Sequence, residues 1–82
     1  MDLRTVTGIW YEIALVNGHG AKLDKDYASK QAAERAIMET NLKAMQHGYG
    51  PSKYYIMYCT IVRLMEDNGD VVSETITKTR VG

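Results

Sequence analysis

The stretch Lys53-Tyr-Tyr-Ile-Met-Tyr-Cys-Thr-Ile-Val-Arg-Leu-Met65, followed by Asp67-Asn-Gly-Asp70, decides the fold. It is rich in β-branched and aromatic residues and holds neither proline nor glycine, which predicts a strand. Successive side chains of a strand point to opposite faces. Ile56, Tyr58, Val62 and Leu64 therefore face one way, and Met57, Cys59, Ile61 and Met65 the other. Both faces are apolar, and a strand of that kind needs a layer on each side. The rest of the chain offers one helix, so the second layer is expected from another subunit or a partner.

Downstream, Asn68-Gly69 is the strongest short signal for a two-residue type I′ hairpin turn. Taken literally, it pairs Met65 with Val72, Arg63 with Glu74, Ile61 with Ile76 and Thr60 with Thr77, all favourable cross-strand neighbours. Asp67 opposite Asp70 is the unfavourable pair. The third strand, Val71 to Val81, alternates charge with threonine and reads as a solvated edge.

Upstream, Thr5 to Val16 is again β-branched and aromatic and stops at the turn formers Asn17-Gly18-His19-Gly20. Ile9, Tyr11, Ile13 and Leu15 share one face of this first strand. Val6, Trp10, Ala14 and Val16 share the other, with Glu12 among them. Ala21 to Tyr27 reads as a short strand or a surface connection. Ser29 can cap the next helix, Lys30 to Gln46, which runs through good helix formers to His47-Gly48, where glycine can supply the left-handed cap. At about 100° per residue, Ala33, Ala36, Ile37, Thr40 and Ala44 form a narrow stripe suited to close approach on a sheet. Met38, Leu42 and Met45 fall a quarter to a half turn away. They either widen that apolar face around the sheet edge or form a second contact surface. The expected fold is a single α+β domain over residues 1–82, β-α-β-β, with an antiparallel sheet and the Ser29 to Gln46 helix packed on one face.

Composition narrows the function. The 82 residues are 45% hydrophobic and 24% charged, in the ordinary range of folded domains. Ten basic residues balance ten acidic ones, which removes the long-range attraction on which most nucleic-acid binders rely. One cysteine cannot form an internal disulfide, and Cys59 reads as a small inert hydrophobe in its strand. Met1-Asp-Leu-Arg lacks the apolar core of a signal peptide, and no apolar run reaches the roughly 20 residues of a membrane span. A cytoplasmic location without membrane association is the expectation.

No catalytic motif is present: no G-x-S-x-G elbow, Walker loop, H-E-x-x-H or C-x-x-C. His19, His47, Cys59 and the scattered carboxylates are the candidates for chemistry, and none stands in a pattern. His19 reads as a turn-surface histidine. Asp24, Asp26 and His19 match no metal-ligand spacing, so neither a metal nor a cofactor is expected and the chain reads as non-enzymatic. For nucleic acid, Lys53, Tyr54, Tyr55 and Tyr58 interleave charge with stacking rings, and Lys78 and Arg80 would come near Tyr58 in the hairpin. The competing reading places the rings in a core or interface and the cations at strand ends, and zero net charge favours it.

From Trp10 to Ile37, the strand, the Asn-Gly turn and the run Tyr-Ala-Ser-Lys-Gln-Ala-Ala-Glu-Arg-Ala-Ile resemble the strand-and-helix layout of AP2-like and integrase-arm DNA-binding domains, over about a third of the chain. Those domains have a more basic sheet, and the resemblance assigns no binding residue here. The expected function is protein binding as a homo-oligomer, with Trp10, Met38, Leu42, Met45 and Tyr58 at the interface and another protein as a further partner. Small, neutral, motif-free domains often serve as accessory or inhibitory proteins, including those carried by phages and mobile elements. The alternative is a sheet-based nucleic-acid module using Lys53, Tyr54, Lys78 and Arg80.

Overall fold

A computed structural model describes residues 3–17 and 23–82. Met1-Asp2, the Gly18-His19-Gly20 turn with the role read for His19, and Ala21-Lys22 lie outside the described residues. Strand β1 spans Leu3–Asn17, helix α1 Lys30–Gln46, strand β2 Lys53–Glu66 and strand β3 Val71–Arg80. The sheet order is β1-β2-β3 with both pairings antiparallel. The chain is thus α+β, with its elements in the order β-α-β-β along the sequence.

Helix α1 begins and ends where its capping residues dictate. The Ser29 hydroxyl accepts a hydrogen bond from the Ala32 N–H at 3.1 Å, satisfying one of the donors a helix start leaves open. At the other end the His47 N–H donates to the Ala44 carbonyl, and Gly48 takes φ +84° to turn the chain away. The following loop is tied back to the helix. Asn41 donates from Nδ2 to the Ser52 carbonyl (3.1 Å) and accepts the Ser52 N–H (2.8 Å), and Ser52 is buried.

The Asn-Gly turn differs from expectation. Gly69 has φ +91°, but no described non-glycine residue has positive φ, so Asn68 does not adopt the type I′ conformation. Instead the Gly69 N–H donates to the Glu66 carbonyl and the Glu66 N–H to the Asp70 carbonyl. This is a three-residue loop with glycine in the left-handed position. Asn68 Oδ1 accepts the Asp70 N–H at 3.0 Å and holds it there. The longer loop moves the first pair to Met65 with Val71, not Val72, and removes the expected Asp67–Asp70 pair. A register shift next to it then restores Leu64 with Ser73, Arg63 with Glu74, Ile61 with Ile76 and Thr60 with Thr77. The extra loop residue and the bulge at Val72 cancel, so every side chain beyond keeps the face expected for it.

Residues 23–26 form no strand. Tyr27 alone bridges β1, exchanging two backbone hydrogen bonds of 2.8 Å with Tyr11.

The core is small and lies at one end. Ile13 and Ile56, direct partners across β1 and β2, are buried with Ala33 of the helix, and Tyr11, Leu23, Tyr27, Ala36, Ile37 and Tyr54 pack around them. The reason is a mismatch of lengths. Seventeen helical residues span about 25 Å, while the fifteen residues of β1 span about 50 Å. One helix can cover only half such a sheet. The molecule accordingly measures 60 × 17 × 16 Å with a radius of gyration of 17.0 Å, against about 12 Å for a compact chain of this length.

Candidate interaction surface

Beyond the core the sheet continues as an arm whose two faces differ in chemistry. On the side where the helix sits, the strand registers assemble three rows: Ile9-Thr60-Thr77, Thr7-Val62-Thr75 and Thr5-Leu64-Ser73. None of these nine residues carries a charge. Thr60 and Leu64 are half-buried by their neighbours and the other seven are exposed, with Ile9 at 62% and Val62 at 43%. The rings of Tyr11 and Tyr58, 5.4 Å apart and tilted at 60°, stand at the boundary between core and arm.

The far face carries the charges of the sheet, alongside exposed Val6 and Ile76. Its rows are Glu12-Met57-Arg80, Trp10-Cys59-Lys78, Gly8-Ile61-Ile76 and Val6-Arg63-Glu74. Glu12 accepts the Trp10 indole N–H at 2.7 Å and the Lys78 ammonium at 3.0 Å, a link from β1 to β3 that must cross over β2. Those two hydrogen bonds, the indole's first, hold the Glu12 carboxyl below the ordinary glutamate value. Arg63 pairs with Glu74 at 3.2 Å, and the Arg80 guanidinium lies 4.8 Å from the centre of the Tyr55 ring. Ionic and cation–π partners of this kind make an exposed sheet face soluble.

Cys59, flanked by Trp10 and Lys78, is fully buried without any second layer. Its Sγ lies 3.7 Å from the Met57 carbonyl, and burial followed by the Glu12 charge pushes the thiol pKa up. A raised pKa and no exposure suit a packing residue, because thiol reactivity follows the thiolate. His47 serves at the helix end. Among the described residues no group of three or more His, Cys, Asp or Glu side chains is arranged to hold a metal ion. No described helix is long and apolar enough to cross a membrane.

The residues singled out from sequence do not converge on one patch. Trp10 lies on the far face and Tyr58 on the helix side, both half-buried. Met38, Leu42 and Met45 stand out from the helix, 70%, 56% and 56% exposed, so they do not wrap the sheet edge. The nucleic-acid set is split as well. Tyr54 packs against the core, Lys53 is exposed, Lys78 is engaged by Glu12 and Arg80 by Tyr55. Lys78 and Arg80 flank Thr79, the partner of Tyr58, and therefore project to the face opposite Tyr58. The expected meeting of those cations with that ring does not occur.

Sequence reading missed two features. The Asn41–Ser52 clasp left no local signal, since neither residue sits in a motif. The charge-free rows were hidden in a strand read as a solvated edge. Its serine and threonines at 73, 75, 77 and 79 share one face and Glu74, Lys78 and Arg80 the other, which is visible only when three strands are read in register.

No family model, curated protein or solved structure is significantly similar to this chain. The likeness to AP2-like and integrase-arm domains therefore stays one of layout.

Proposed function

We propose that this chain is a non-enzymatic protein-binding module that works as a homo-oligomer, its first partner being a second copy of itself. The observation that carries this reading is the run of three charge-free rows on the helix-side sheet face, between the Tyr11–Tyr58 rings and the terminal Leu3–Glu66 pair, which no described part of the chain covers. Depletion of charge is what distinguishes the core of an interface from ordinary surface. The ionic pairs Lys78–Glu12 and Arg63–Glu74 stand on the opposite face, beside exposed Val6 and Ile76.

Surface area supports the same reading. The chain exposes 6009 Å², whereas a compact monomer of its mass exposes about 4,900 Å². The excess, roughly 1,100 Å², is of the order that each partner contributes to a standard interface, about 800 Å². A core of Ile13, Ile56, Ala33 and Cys59 is also slight for an independent domain, and association is a common remedy in short chains. The nucleic-acid reading receives no such support, because Lys78 is paired with Glu12 and Arg80 with the Tyr55 ring, which leaves Lys53 as its one cation without such a partner among the described residues, and its rings divide between two faces.

Light scattering at micromolar concentration tests the proposal. A mass at least twice the 9.2 kDa of the chain is expected. A monomer at 100 µM would overturn it. Salt-sensitive submicromolar binding of a random oligonucleotide would favour the nucleic-acid module instead.

A further inference from the structure

We infer that two copies stack about a two-fold axis with their sheets antiparallel, so that helix α1 of each fills the gap between its own sheet and the bare arm of the other. The inference rests on the homo-oligomeric reading above and adds to it the surfaces used and their order.

The helix has two apolar stripes. The inner one, Ala33, Ala36, Ile37, Thr40 and Ala44, is buried or half-buried. The outer one, Met38, Leu42 and Met45, is exposed, and its centre lies about 150° around the helix from the first. A surface helix needs one such stripe, and a helix with two on opposite sides belongs between two layers. The chain itself supplies only one layer. The missing one must accept an aliphatic and thioether stripe that runs from Met38 to Met45 along the C-terminal half of the helix, about 11 Å long. The bare arm, Leu3 to Ile9 in β1, is about 23 Å long, ample for that stripe, and presents Ile9, Val62 and Leu64 framed by hydroxyl side chains, with the Leu3–Glu66 pair closing its far end.

Both surfaces lie on the same molecule and on the same side of its sheet. Turning a second copy over and reversing its direction brings each helix under the other's arm, and both gaps close at once. Such reciprocity is the signature of an isologous interface. Three strands at about 4.8 Å spacing give the arm roughly 320 Å² in projection, and the outer helix stripe, about 11 Å by 10 Å, adds roughly 110 Å². Side-chain relief raises their accessible area above that projection, toward the 800 Å² per partner of a standard interface. The far faces, with the Lys78–Glu12 and Arg63–Glu74 pairs, stay outside in water.

Two single-cysteine variants, Leu42→Cys and Val62→Cys, co-expressed and treated with a short bismaleimide, test the arrangement. Cys59 is fully buried and does not compete. The mixed 42–62 product is expected to exceed either self-linked product well beyond the statistical excess of random collision, with circular dichroism unchanged. Met45→Cys with Ile9→Cys repeats the measurement should either first variant misfold. A protein of doubled mass that links mainly 42 to 42, or links Ile76→Cys to itself, would overturn this stacking while leaving homo-oligomerisation intact, as would linkage along the exposed β3 edge. A monomer that gives no linked product would overturn both.

Discussion

Truncation of the outer helix stripe separates association from folding. Leu42 lies outside the core cluster and is 56% exposed in the single chain, so Leu42→Ala should leave the helix and melting of the isolated chain nearly unchanged. The substitution removes three carbons, worth about 2.4 kcal/mol if fully buried at 0.8 kcal/mol each. Only the exposed fraction is newly buried on association, which leaves roughly 1.3 kcal/mol per chain. A two-fold interface contains the site twice, giving about 2.6 kcal/mol per dimer, or a roughly 70-fold rise in Kd. Sedimentation equilibrium over a dilution series measures that rise, with circular dichroism reporting helix content in parallel. A Kd within threefold of wild type, with the helix intact, would refute the sandwiching of α1. A loss of helix content at high dilution would show that Leu42 holds the fold itself.

Gly69→Val should lower stability by about 1 to 3 kcal/mol because φ +91° is strained for a β-branched residue, whereas Asn68→Ala, at negative φ, should cost less; denaturant titration of both decides it. Asn41→Ala removes both hydrogen bonds to buried Ser52 and should cost about 1 to 3 kcal/mol, read from the same titration. Glu12 carries a depressed carboxyl pKa in the folded chain. Its contribution is therefore intact above the unfolded value of about 4.3 and is lost as pH falls through the lower folded value. Glu12→Gln should flatten the acid side of the stability profile by less than about 1 kcal/mol, because the Lys78–Glu12 pair is largely solvated, and melting between pH 5 and 2 would reveal a larger effect.

Much of the fold was legible because its signals are local. Ser29 and Gly48 bound the helix where its capping chemistry requires, and the period-two patterns assigned the faces of β1 and β2. The hairpin was legible in its register but not in its turn. Asn-Gly serves both the two-residue loop and the three-residue loop that ends on a left-handed glycine, and the choice depends on the contact between Asn68 and Asp70. The bulge at Val72 compensated, so the faces came out the same. Trp10 and Tyr58, named together as interface anchors, lie on opposite faces of the sheet. The apolar appearance of both faces of β2 was half resolved by the chain itself, since Trp10, Glu12 and Lys78 link across the strand beside buried Cys59. That solution required a tryptophan, a glutamate and a lysine from two strands to meet over a third. Sequence spacing alone does not disclose such a meeting.

Small-angle X-ray scattering joined to a measured mass tests the central claim most directly. Overlapped copies should double the mass while the longest dimension stays near the 60 Å of one chain and the cross-section thickens by about 10 Å, one sheet layer. A single-chain mass at 60 Å, or a doubled mass with a length approaching twice that, would contradict it.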